Sequence, residues 1–150
     1  GLENLRTYCA QNSTTLIDTF SCVAPLMDRS LIQSRLLQCL PPSLVPLYHT
    51  HTFPLLSAVD LSRTLKEKGM SYPLIVKPLV AAGAPNSHHM TVVLSPPGLS
   101  SVPPSTIIQQ YHDHDATLYK CYVLGRHVRV FARRSLPDLG DVGGGGGAAA

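Results

Sequence analysis

Charge is scarce in this chain: of its 150 residues only 14% are Asp, Glu, Lys or Arg, against 44% apolar residues. That balance excludes a disordered chain, and the mixed composition, with 13 Pro and 11 Gly, excludes collagen and coiled coils. No apolar run reaches membrane-spanning length, because Lys77 interrupts the best one, Tyr72 to Val80. The cysteines Cys9, Cys22, Cys39 and Cys121 form no C-x-x-C pair, which argues against a zinc ribbon or a thioredoxin-like site. Their wide spacing predicts reduced, mostly buried thiols. Nucleophile elbows of the G-x-S-x-G type are missing, and no Cys lies in an activating context. A net charge of only +3 is too small to hold a nucleic-acid backbone, and no secretory leader is visible in a chain that begins at Gly1. A soluble, cytoplasmic protein that binds neither nucleic acid nor membrane is expected.

What is present suits one ordinary domain by length, and the chain is expected to be a piece of a longer protein. Residues 1–24 are expected to end an earlier lobe or linker, 25–140 to form the main domain, and 141–150 a Gly/Ala tail. Within it, Gly1 to Thr15 is polar and aperiodic. Asp28 to Leu40 carries Leu31, Ile32, Leu36, Leu37 and Leu40 as the stripe of an amphipathic helix, with Asp28 or Ser30 as cap and Pro41-Pro42 as stop. Ser43 to Pro54 reads as an extended connection, and Asp60 to Lys68 as a short helix ended by Gly69. Strands are predicted at Pro73 to Val80, Thr91 to Leu94 and Thr106 to Tyr111, and a hairpin at Thr117 to Leu124 and His127 to Arg134 around Gly125-Arg126. Helices followed by strands give an α+β fold.

Lys77 is the most informative residue, since a cation inside an apolar strand is costly unless an anion meets it. A point cation on a rigid strand suits phosphate oxygens; an edge strand with its lysine in water is the plainer alternative. The following loop, Ala81 to His89, has small residues that let a phosphorylated ligand approach backbone N–H groups, although no G-K-[ST] makes it a P-loop. Lys120, Arg126, Arg129, Arg133 and Arg134 concentrate positive charge on one element, which fits a phosphorylated small ligand or a solvated basic face. His112 and His114, like His49 and His51, have strand spacing for a metal but no third ligand nearby, so no metal ligand is assigned.

Taken together, YPLIVKPLVAAG (Tyr72 to Gly83), NSHHM (Asn86 to Met90), IIQQYHDHDATLYKCYVLG (Ile107 to Gly125) and RRSLPDL (Arg133 to Leu139) closely resemble the inositol 1,3,4-trisphosphate 5/6-kinases, also called inositol-tetrakisphosphate 1-kinases. PLMDRS (Pro25 to Ser30) resembles their upstream P-x-x-D-R-S segment, and the RRSLPD form looks closer to plant and algal members than to animal ones. The resemblance implies a partial ATP-grasp fold, with N-terminal and C-terminal parts of the family's chain missing. It implies ATP and Mg²⁺ as cofactors, an inositol polyphosphate as substrate, and a monomer. By the same resemblance Arg29 and Lys77 contact ATP, Gln109, Gln110 and Tyr111 form the connecting strand against adenine, and Ser135 lies beside the nucleotide. Lys120 is shared between ATP and the inositol phosphate, while His88, Gly83 and Arg133 face the substrate. Lys77 and Lys120 are the catalytic pair, expected to converge on one pocket. Ala82 departs from the polar residue of many relatives, and the family's Mg²⁺-binding stretch has no counterpart. An ATP-grasp ligase and a non-catalytic nucleotide-binding remnant are the alternatives, and limited stability in isolation is expected.

Overall fold

The computed structural model describes residues 2–52 and 56–142; the predicted tail over 143–150 and the end of the predicted connection at Pro54 lie outside them. In chain order these residues form α1 (Leu2–Gln11), α2 (Phe20–Val23), α3 (Arg29–Cys39), β1 (Tyr48–His51), α4 (Ala58–Glu67), β2 (Leu74–Pro78), β3 (Thr91–Val93), β4 (Thr106–Gln110), β5 (Thr117–Leu124), β6 (His127–Arg134) and α5 (Leu139–Val142). They divide into two compact units with the boundary between Tyr111 and His112.

The first unit is organised by a four-stranded antiparallel sheet in the order β1-β4-β2-β3. Because side chains alternate across a strand, Leu74 and Val76 on β2, Ile108 on β4 and Val93 on β3 point to one face. There they form the core with Leu61 and Leu65 of α4, Met70 and Leu99. The sequence of α4 suits this packing, since Leu61 and Leu65 lie one turn apart and are almost wholly buried. Its N-terminus is closed by Ser57, whose hydroxyl accepts from the Asp60 N–H and donates to the Asp60 carboxylate at 2.7 Å. The helix therefore starts two residues before the predicted Asp60. At its end the Gly69 N–H bonds to the Lys66 carbonyl at 2.9 Å.

The structure corrects several expectations. The aperiodic N-terminal stretch is a helix, α1. The predicted extended connection contains β1, which pairs with β4 through Tyr48↔Gln109 to His51↔Thr106. It escaped notice because Y-H-T-H carries no apolar alternation; the buried inner residue is His51. Helix α3 has the predicted span, yet its leucine stripe is not its buried face. Leu31, Leu37 and Leu40 are exposed at 49%, 42% and 40%, whereas Gln33 is buried at 5%. Three of the four cysteines, Cys22, Cys39 and Cys121, are exposed and only Cys9 is buried, so the expectation of mostly buried thiols fails; all four are free thiols.

In the second unit β5 and β6 pair over their full length, from Thr117↔Arg134 to Leu124↔His127, as predicted. The two-residue turn is closed by Gly125, whose φ of +57° opens a connection that matches strand twist and disfavours a side chain. The register sorts the hairpin into two faces. One carries Lys120, Arg129 and Arg133; the other carries Tyr119, Cys121, Val123, Val128 and Val130. Both are solvent-exposed, with Tyr119 at 69% and Val123 at 66%. No described helix is long and apolar enough to cross a membrane.

Candidate functional site

Strand β2 lies inside the sheet, with β4 along its whole length and β3 beside Leu74 to Val76, and the Lys77 ammonium is part-buried rather than turned to water, against the edge-strand alternative. Leu74 and Val76 point into the core, and alternation turns Lys77 to the opposite face of the sheet. There Lys77 lies across from Ile107 and diagonal to Gln109, close enough for long side chains to meet. Its ammonium donates to Gln109 Oε1 at 2.6 Å. Burial, followed by the charge of Arg29, holds the Lys77 pKa below the ordinary lysine value. A neutral amide is thus the partner of a half-buried cation.

Arg29 arrives from the first turn of α3. Residues 27 to 29 run beside the end of β2, with the Arg29 N–H bonded to the Leu79 carbonyl and the Ala81 N–H to the Met27 carbonyl, each at 2.8 Å. From that anchor the guanidinium donates to the carbonyls of Pro78 at 2.6 Å, Val80 at 2.7 Å and Ser87 at 2.9 Å. Arg29 therefore ties the small-residue loop after β2 to the sheet, and burial lowers its pKa. Gly83 in that loop has a φ of +81°, which favours glycine.

Asp28 fixes this arrangement by capping α3. Its carboxylate accepts from the Ser30 N–H at 2.7 Å, the Ser30 hydroxyl at 2.6 Å and the Leu31 N–H at 3.4 Å. Burial pushes the carboxyl upward, but these bonds outweigh it and leave the pKa below the ordinary 3.8. A depressed folded-state value means that the cap's contribution is present above pH 3.8 and is lost as pH falls through the lower folded value. Asp28→Ala is expected to cost about 1 kcal/mol in urea unfolding at neutral pH. The gap between variant and wild type closes below that pH; an equal gap at pH 2.5 and pH 7 would contradict the assignment.

Arg29, Ile32, Gln33, Leu36, Lys77 and Gln109 together line a cavity of about 200 Å³. The lining holds two cations and no carboxylate, an arrangement that favours an anion. Of the residues assigned to ATP by resemblance, the structure brings Arg29, Lys77 and Gln109 to this one place. Gln33 went unread in the sequence. Gln110 and Tyr111 lie just beyond, but their N–H groups are already bonded to the Leu47 carbonyl at 2.9 Å and the Pro73 carbonyl at 3.0 Å. His88 is exposed, and its neighbour His89 lines a second cavity of about 220 Å³ with Asn86, Thr91 and Thr106.

The other assigned residues belong to the second unit. Lys120 and Arg133 are exposed and share a hairpin face with Arg129, while Arg134 is on the opposite face and Arg126 is in the turn. Ser135 Oγ lies 2.9 Å from His114 Nε2. Asp138 gathers the turn before β5, accepting from the N–H groups of His114, Asp115 and Ala116. Those bonds, the one from His114 first, lower its pKa. His114 is thus engaged in a polar turn. Among the described residues no group of three or more His, Cys, Asp or Glu is placed to hold a metal ion.

Compared with known proteins, residues 49–143 match the family described as the inositol 1,3,4-trisphosphate 5/6-kinase ATP-grasp domain. The chain belongs to this family. The family match agrees with the observed α+β architecture and with the resemblance carried by the motifs. Among curated relatives, inositol-tetrakisphosphate 1-kinase 5 of Oryza sativa subsp. japonica is 35% identical over 140 residues, covering 82% of this chain and 41% of the relative. Inositol-tetrakisphosphate 1-kinase 1 of Zea mays is 43% identical over 70 residues, 47% of this chain and 20% of the relative. Inositol-tetrakisphosphate 1-kinase of Xenopus laevis is 39% identical over 80 residues, 53% of this chain and 20% of the relative. The chain thus spans well under half the length of each of these kinases. The cavity residues Lys77 and Gln109 fall inside the matched segment; Arg29 and Gln33 precede it.

Proposed function

We propose that this chain supplies the nucleotide-phosphate site of an inositol polyphosphate kinase, which transfers the γ-phosphate of ATP to a hydroxyl of inositol 1,3,4-trisphosphate or inositol 3,4,5,6-tetrakisphosphate. The observation that carries this reading is the cavity in which Lys77 and Arg29 meet with no carboxylate. Such a site receives polyphosphate without first breaking an ion pair. Lys77 sits on a rigid strand and is held by Gln109, so its charge is positioned before the ligand arrives. Arg29 holds the loop containing Gly83 and His88, and His88 has its side chain in solvent, available to a phosphate. In the second unit Lys120 and Arg133 share one face of the hairpin and offer cations to a phosphorylated ligand. Mg²⁺ bound to ATP would neutralise phosphate charge during direct in-line transfer, and no ligand for it is assigned to the described residues.

The test is incubation of the protein with Mg²⁺, ATP and each of the two inositol phosphates, with separation of the products by charge. A product carrying one more phosphate, formed at the expense of ATP, is expected. ATP binding without transfer to either substrate would favour the non-catalytic remnant, and ATP consumed only with a carboxylate and an amine would favour a ligase.

A further inference from the structure

The loop from Ala82 to His89, between β2 and β3, carries His88 yet is held to the rest of the protein by little. Its backbone makes two local bonds, from the Ser87 N–H to the Ala84 carbonyl at 3.1 Å and from the His89 N–H to the Asn86 carbonyl at 3.0 Å. The hydrogen bond that reaches beyond the loop runs from Arg29 Nη2 to the Ser87 carbonyl at 2.9 Å. Ser87 is also the buried residue of the stretch, 1% exposed between the exposed Asn86 and His88. Arg29 Nη1 meanwhile donates to the carbonyls of Pro78 and Val80 at the end of β2. One guanidinium thus spans from sheet to loop, and its rigid planar fork of N–H groups suits that task. The Nε–H and the second Nη2 hydrogen take no part in these bonds. The same residue lines the cavity with Lys77, and its charge is, after burial, the second cause of the lowered Lys77 pKa. Two cations on one cavity repel each other, which works against the seat of Arg29 on the carbonyls. An anion in the cavity offsets that repulsion without displacing the N–H groups already engaged.

Resting on the phosphate-site reading above, we propose that Arg29 is a positioning residue that ties the order of the loop from Ala82 to His89 to occupancy of the cavity by phosphate. With phosphate bound the loop is firm and His88 is held in place; without it the loop opens locally more often. Binding of the nucleotide phosphates thereby prepares His88 for the second substrate.

Hydrogen exchange of the full chain, read with and without saturating inorganic triphosphate in wild type and Arg29→Lys, tests this. In wild type, triphosphate slows exchange across residues 82–89 by at least about 5-fold, the lower end of ordinary coupling between sites. Lysine keeps the cation but gathers its donors on one nitrogen, which cannot span sheet and loop. In Arg29→Lys the loop therefore exchanges faster than in wild type before any ligand is added, and triphosphate slows it less than about 2-fold. Arg29→Gln carries the same expectation and serves if the lysine variant does not fold. A role in the fold alone would loosen the loop in the variants but leave the wild-type loop indifferent to triphosphate. Wild-type exchange that is unchanged or faster when triphosphate binds overturns the proposal, as does ligand-free exchange that is equal in wild type and variant. So does an equal slowing in both proteins, which would mean that phosphate grips the loop directly. Wild-type protein that binds no triphosphate, by calorimetry on the same samples, overturns the phosphate-site reading and this proposal with it.

Discussion

Lys77→Ala is expected to lower kcat/KM for ATP-dependent phosphorylation by about 10²- to 10³-fold, the range for loss of one pre-positioned donor at a site of developing charge. The expectation follows from where the lysine stands. It is fixed on a strand that pairs with β4 through Lys77 itself, its ammonium is already directed by Gln109 at 2.6 Å, and no carboxylate in the cavity competes with an incoming phosphate. Stability should move little or upward, because the substitution removes a half-buried cation whose charged form burial disfavours. Steady-state kinetics and thermal melts on the same samples check both parts. A loss of activity that merely tracks a fall in melting temperature would assign Lys77 to the fold, and retained activity would remove it from the site.

Ile108→Ala should give the largest loss of stability, about 2–5 kcal/mol in urea unfolding. Ile108 is wholly buried in β4, on the core face opposite the cavity, beside Leu61, Leu65 and Val76. Truncation leaves a void that flanking strands cannot close without breaking their register with β1 and β2. The adjoining residue Gln109 points to the other face, so nucleotide affinity measured well below the melting temperature should change less than about 3-fold, an order-of-magnitude bound for a site touched only through the backbone. A variant as stable as wild type would show that the sheet and α4 are not the core of the first unit.

Much of this architecture could be read from local pattern. The β-branched runs gave β2, β3 and β4, and the Gly125-Arg126 pair gave the hairpin its register, because these signals lie in the residues that form the elements. Strand β1 was hidden since His49 and His51, opposite Ile108 and Thr106, supply no apolar period; their inner placement depends on partners 59 and 55 residues further along the chain. The reversal of α3 has a similar origin. Its leucine stripe satisfied the helical template, but which face is covered was decided by the ties from residues 27–29 to the end of β2. Lys77 stood out as a charge in an apolar run, and Arg29 only through its resemblance to a family segment. Gln33 gave no local sign, because a glutamine in a helix reads as surface until distant strands enclose it.

The central position of β2 also sets the timescale on which the cavity responds to a ligand. The backbone at Lys77 is held in register by β4, the ladder to β3 ending one residue earlier at Val76, whereas the ammonium moves by rotation of its own side chain. Reorganisation around an arriving phosphate at Lys77 is therefore a side-chain step that exchanges the bond to Gln109, with no strand movement to slow it. Slower gating, if measured, belongs to the segment that Arg29 holds by its three carbonyls rather than to the lysine it serves.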